Sequence, residues 1–241
     1  MRQTIFLSVF VVMATALVYA QKQKTWTEWN AKEITRVLTD SAWAQTQLET
    51  KEAAEAAGAV TYTGSSRRME VRDPGQDAPG AITSYIKYFI RFLSAKPIRQ
   101  AVVRRVQLEQ PEVFQKQADQ LKSFTDLTSD DFIVIAVAAE AKDKSTGGAA
   151  LQAFRSASLD SLKDVTFLER KDGQRVMLSD FKAPAPDGLG AKFVFPRQLN
   201  SAPFINADSG QVRFVSQLSK NVKLEARFKV SEMVYEGKLE Y

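Results

Sequence analysis

YIKYFIRFLSAKPIRQAVVRRV, residues 85–106, joins an aromatic and β-branched run to a basic helix across the corner Ser94-Ala95-Lys96-Pro97. Residues 82–93 fit two periods. Ile82, Ile86, Phe89, Ile90 and Leu93 share one face of a helix, whereas Ile86, Tyr88, Ile90 and Phe92 share one face of a strand. The density of aromatic residues and isoleucines decides for a buried strand, because such side chains pack well on a pleated surface. Pro97 then suits the first helical position, where its missing N–H needs no partner. The helix it opens runs to about residue 108 and turns Ile98, Ala101, Val102 and Val106 toward the sheet. Arg104 falls on the exposed side, with Arg99 and Arg105 toward the flanks.

On the C-terminal side, Pro111 starts another helix in which Val113, Phe114, Ala118 and Leu121 keep helical spacing. Residues 132–139, FIVIAVAA, are apolar throughout, as in a strand covered on both faces. A loop through Gly147-Gly148 leads to a short helix over 149–156. From residue 165 the pattern changes to hairpins: Lys171-Asp172-Gly173-Gln174 is a two-residue turn signal between strands at 165–170 and 175–178. Strands follow at 191–195, 211–217 and 222–232. The last alternates cleanly, with Val222, Leu224, Ala226, Phe228 and Val230 on one face and charged residues on the other, the mark of a half-solvated antiparallel strand. The expected class is therefore α+β. Its N-terminal half packs helices on one or two buried strands, and its C-terminal half is an antiparallel β meander or sandwich.

On the N-terminal side, Thr25-Trp26-Thr27-Glu28 has capping-box form and predicts a helix over residues 26–38. Trp26, Trp29, Ile34, Val37 and Leu38 fall on one half of it. The plain reading is a helix docked on the core by its tryptophans, with Trp43 as a further anchor. The alternative is an aromatic platform of Trp26, Trp29 and Trp43 for carbohydrate or a partner. Residues 45–80, with their Ala/Glu-rich run and Pro-Gly turns, read as an exposed, mobile segment with short strands at 60–63 and 68–72. Residues 1–20 read as a signal peptide: Arg2, a short apolar run over 5–18, and Val18-Tyr19-Ala20 before the cleavage point. The remainder, 21–241, reads as one α+β domain of periplasmic or secreted destination, with no membrane span.

Trp26-x-x-Trp29, Asp40-Ser41-Ala42-Trp43-Ala44, Ser94-Ala95-Lys96-Pro97-Ile98-Arg99-Gln100-Ala101 and the closing Gly237-Lys238-Leu239-Glu240-Tyr241 together resemble an uncharacterised family of exported bacterial proteins. The resemblance implies export and no particular activity.

Composition excludes much chemistry. Cys and His are absent, so disulfides, thiol nucleophiles, imidazole metal sites and His-dependent triads are impossible. The formal charge of +5, to which Arg2 contributes one, is too mild to point to nucleic acid. Lys96, Arg99, Arg104 and Arg105, with Arg91 before them, form a candidate anion site at the start of the basic helix, where free amides and the helix dipole help. Against it stands a solvated basic face whose stems cover apolar surface. Asp126, Asp130 and Asp131 lack the spacing of a calcium loop and read as an acidic turn. Ser94 and Lys96 carry no further signature of Ser-Lys catalysis. No metal or cofactor is implied. The functional expectation is a non-enzymatic binding or structural protein with an envelope or extracellular partner. The alternative is a His-independent hydrolase of an envelope polymer working through paired carboxylates.

Overall fold

The computed structural model describes residues 24–50, 85–128, 130–142 and 144–241. The predicted leader at 1–20, the predicted short strands at 60–63 and 68–72, and the start of the predicted strand at 82–84 lie outside them. In chain order the helices are α1 (Ala31–Thr39), α2 (Lys96–Glu109), α3 (Pro111–Lys116), α4 (Ala118–Asp126), α5 (Lys144–Ser156) and α6 (Leu159–Leu162). The strands are β1 (Ala44–Thr50), β2 (Tyr85–Phe92), β3 (Phe132–Ala141), β4 (Thr166–Arg170), β5 (Arg175–Met177), β6 (Asp180–Lys182) and β7 (Ala191–Pro196). After them come β8 (Gln198–Leu199), β9 (Ala202–Pro203), β10 (Gln211–Gln217), β11 (Lys223–Lys229), β12 (Val234–Tyr235) and β13 (Lys238–Leu239). The protein is α+β, with helices concentrated in its N-terminal half and strands in its C-terminal half.

β2 sits inside a five-stranded antiparallel sheet of order β1-β2-β3-β7-β6, so two C-terminal strands complete the sheet that the N-terminal half begins. A four-stranded antiparallel sheet, β11-β10-β4-β5, lies against it. The period-2 face Tyr88, Ile90 and Phe92 is fully buried. Phe92 meets Phe228 of β11 edge to face at 4.7 Å, and Phe193 of β7 meets Phe214 of β10 at 5.4 Å. These rings fill the layer between the sheets, and Phe154 of α5 closes one end of it against Tyr88. The buried residues form one cluster from Ile34 to Tyr241.

The outer face of β2, carrying Lys87, Phe89 and Arg91, is covered by α1 and α2. Small residues opposite Arg91, namely Ala44 on β1 and Ala136 on β3, leave room for those helices. Arg91 donates from Nε to the Leu38 carbonyl at 2.6 Å, which ties the end of α1 to the sheet.

Several boundaries differ from the sequence-based expectation. The predicted loop through Gly147-Gly148 is part of α5, which starts at Lys144, and the helix expected from Pro111 is broken at Gln117 into α3 and α4. Residues 44–50 are a strand, not part of a mobile segment. They pair with β2 over their whole length, and Gln47 on the edge also donates to the Lys223 carbonyl at 2.7 Å and accepts from the Glu225 N–H at 2.8 Å, joining the two sheets. Polar residues belong on such an edge, and the pairing overrides their weak β propensity. The predicted helix over 26–38 is instead a single 3-10 turn, Trp26–Glu28, followed by α1. A second capping box, Asn30-x-x-Glu33, restarts the chain: the Asn30 side chain accepts from Glu33 N–H at 3.0 Å and Glu33 accepts from Asn30 N–H at 2.8 Å. At the β4–β5 hairpin, Arg170 N–H bonds to the Gln174 carbonyl, leaving a three-residue loop with Gly173 at φ +85. The last long strand stops at Lys229, and Val230–Glu232 form a 3-10 turn.

On the outer face of the four-stranded sheet, Glu169 of β4 accepts from Arg175 at 2.6 Å and from Arg213 at 2.5 Å, and Glu225 bonds to Arg227 at 3.2 Å. Burial pushes the Glu169 carboxyl up, but the arginine hydrogen bonds and charges outweigh it and hold it below the usual value of 4.5. Glu225 is lowered the same way, burial being outweighed by Lys223, Arg213 and Arg227. A carboxylate with a depressed folded-state pKa adds stability above its unfolded value and loses it as pH falls through the folded one. Urea midpoints are therefore expected to fall as pH drops below about 4.5. Glu169→Gln flattens that slope without abolishing it, because Glu225 remains; an unchanged slope would contradict the assignment.

Candidate functional site

The restart of the chain at Asn30 leaves Trp29 in an extended conformation, φ −64 and ψ 130, between the 3-10 turn and α1. Trp26 and Trp29 are thereby released from the helix face that the sequence assigned them. They line a cleft of about 580 Å³ together with Trp43, Val37, Pro97 and Tyr235. All three tryptophans are half-buried. Trp29 and Trp43 are both core anchors and cleft walls, whereas Trp26 lines the cleft without joining the core.

The cleft wall is held by the C-terminal ribbon. β12 and β13 pair across Glu236-Gly237, both with positive φ, the signature of a tight hairpin turn matching strand twist. This turn presents Glu236 to Lys96 Nζ at 2.6 Å. Beyond the hairpin, Glu240 accepts from the Lys96 backbone N–H at 3.2 Å, and its carbonyl accepts from the Trp43 indole N–H at 2.8 Å. The chain thus places its own carboxylate on the helix start, where an external anion was expected. Tyr241 donates from its hydroxyl to the Ile205 carbonyl at 2.8 Å, and Arg197 stacks on its ring at 3.9 Å. The motif 237–241 is therefore the brace of the cleft.

Tyr235 stands edge to face with Trp43 at 6.0 Å and donates to Gln100 at 2.6 Å. Burial, aided by the charges of Glu236 and Glu240, pushes its hydroxyl up to about 12, so it remains a donor at neutral pH. The indole N–H groups of Trp26 and Trp29 have no hydrogen-bond partner among the described residues.

The four basic residues singled out by sequence do not converge. Lys96 lies beside the cleft in its ion pair. Arg99 is buried and donates to the carbonyls of Ser94, Leu93 at 3.4 Å and Leu127 at 2.5 Å, clamping the β2–α2 corner to the segment before β3. Burial pushes its pKa down, with the charge of Glu240 opposing. Arg104 donates to the Trp29 carbonyl at 3.0 Å and so supports the cleft from behind. Arg105 lies elsewhere, in a groove between α1, α2 and the outer face of β1 and β2. Ser94 does not face Lys96 Nζ; its hydroxyl accepts from Val134 N–H at 3.1 Å. Among the described residues no cluster of acidic side chains is placed to hold a metal ion, and no helix is long and apolar enough to cross a membrane.

Sequence reasoning named the tryptophans but missed Tyr235 and the bracing role of Glu240. The Asn30-x-x-Glu33 box was the signal that would have separated Trp26 and Trp29 from α1. No protein-family model, curated protein or solved structure matches the chain at a significant level.

Proposed function

We propose that the protein is an exported, non-enzymatic binding protein whose tryptophan cleft takes a glycan segment of an envelope or extracellular polymer. The observation that carries this reading is the convergence of Trp26, Trp29, Trp43 and Tyr235 on one open cleft, with two indole donors uncommitted. Aromatic faces match the C–H faces of sugar rings, and N–H groups match their hydroxyls. Residues 1–20 and the resemblance to exported proteins support the destination.

The hydrolase alternative draws less support. The carboxylates beside the cleft, Glu236 and Glu240, both engage Lys96, one on Nζ and one on the backbone N–H. A general acid needs a carboxyl raised into the working range by an apolar setting. Among the described carboxylates only Glu49 is raised, by burial against an opposing Tyr88 interaction, and it does not line this cleft.

Titration with chitotetraose, followed by indole fluorescence, tests the proposal. A saturable change is expected, with Trp26→Ala and Trp29→Ala each weakening affinity about tenfold while circular dichroism stays constant. Binding that ignores both substitutions, or no binding to any glycan oligomer tried, rejects it.

A further inference from the structure

A second site, independent of the tryptophan cleft, lies under α1 and α2. The groove there measures about 1040 Å³ and is lined by α1, β1, β2 and the C-terminal turns of α2. Arg91 forms part of its floor and is only 5% exposed. Its Nε is committed to Leu38, and its guanidinium lies 5.1 Å from the Phe89 ring. Its two terminal amino groups have no partner among the described residues. Arg105 faces the same groove, half-buried, and it too forms no hydrogen bond or ion pair among the described residues.

Two neighbouring arginines with no carboxylate hydrogen-bonded or ion-paired to either are a costly arrangement in a partly buried site. Asp40, Glu109 and Glu140 also line the groove, yet none forms an ion pair with either arginine. Burial, with the like charge of Arg105 adding, lowers the Arg91 guanidinium to about 10, and no acid offsets the shift. The remaining lining mixes apolar side chains with Thr35, Thr39, Gln45, Thr46 and a third cation, Lys87. Leu48 and Leu108 stand at the mouth, 40% and 44% exposed, and Ile34, Leu38 and Phe89 lie deeper. Large apolar side chains left exposed beside two unpaired guanidinium groups suit an amphipathic ligand.

We infer that this groove binds a free long-chain carboxylate, its head group on Arg91 and Arg105 and its chain along Phe89, Leu48 and Leu108. A planar guanidinium pair matches the two oxygens of a carboxylate. The leucines at the mouth give a small inorganic anion nothing to pack against, and a neutral lipid would leave both guanidinium groups unpaired.

The test is displacement of a fluorescent fatty-acid analogue from the purified full chain. Palmitate is expected to compete, octanoate far more weakly, since each methylene lost from an apolar site costs about fourfold. Hexadecanol, with the same chain and no charge, is expected to bind at least tenfold more weakly than palmitate, and inorganic phosphate not at all. Arg105→Ala, at a half-buried position that the core does not require, is expected to weaken palmitate about tenfold, whereas Trp26→Ala leaves it unchanged. Equal binding of hexadecanol and palmitate overturns the inference, as does phosphate binding as tightly as palmitate. So does an Arg105→Ala variant with unaltered affinity. Sedimentation with phosphatidylglycerol vesicles, without displacement by palmitate, would assign the surface to a membrane instead and reject the free carboxylate.

Discussion

Replacing Phe214 by Ala is expected to destabilise the protein by about 3–5 kcal/mol, a large part of the ~5–15 kcal/mol that holds a typical domain folded. The ring is fully buried on β10, between Leu168 of β4 and Ala226 of β11 in the sheet register, and it faces Phe193 and Phe195 of β7 at 5.4 and 6.1 Å. It is therefore the point at which the two sheets interlock. Truncation removes apolar area and leaves a cavity lined by Phe193 and Phe195, whose rings cannot move in to fill it because β7 fixes both. A fall in Tm of roughly 10 °C is expected for a domain of this size. Leu127→Ala, at a side chain 55% exposed, serves as the contrast and should shift Tm by little. Equal losses in the two variants would mean that the sheets do not share a packed layer at Phe214.

That layer shows how far the sequence could be read. β2 and β3 were legible because apolar residues dominate both, broken in β2 only by Lys87 and Arg91 and unbroken over residues 132–139 in β3. β11 was legible from its alternation, which the buried Leu224, Ala226 and Phe228 match. β1 was not legible. Its AQTQLET is polar, and it becomes a strand only because β2 offers a free edge and because the Gln47 amide substitutes for a backbone partner on β11. Local propensity contains neither fact.

The candidate site divides along the same line. Trp26, Trp29 and Trp43 could be named from the sequence, but the wall of their cleft depends on Glu236 in the β12–β13 turn and Glu240 after β13, which arrive from the far end of the chain. Arg99 looked like Lys96 and Arg105 in sequence, being one more cation on an amphipathic helix. What separates the three is tertiary: carbonyls of Ser94 and Leu127 enclose Arg99, a carboxylate meets Lys96, and Arg105 faces Arg91. A basic run specifies charge, and its neighbours decide whether that charge clamps the fold or faces a ligand.

The cleft and the groove both depend on the five-stranded sheet keeping its order, and Gly190 is where that order is most exposed to a single change. Gly190 precedes β7 at φ +86, a conformation that costs an L residue about 1–2 kcal/mol. A Cβ there would also lie 2.1 Å from the Val137 carbonyl oxygen and 2.6 Å from its carbon. Both are backbone atoms of β3, so no side chain can rotate away. Relief requires β7 to move from β3 at the Val137–Ala191 pair, in the middle of the sheet. Gly190→Ala is therefore expected to lose about 3 kcal/mol or more, the backbone strain and the overpacking adding together. Gly173→Ala separates the two contributions: Gly173 has φ +85, but a methyl group added there would meet nothing within 4 Å, so it carries the strain alone and should lose only about 1 kcal/mol. Urea unfolding of the two variants reads the difference directly. If both lose the same amount, the β3–β7 contact tolerates a methyl group, and the close approach of the two backbones is not what requires glycine at this position.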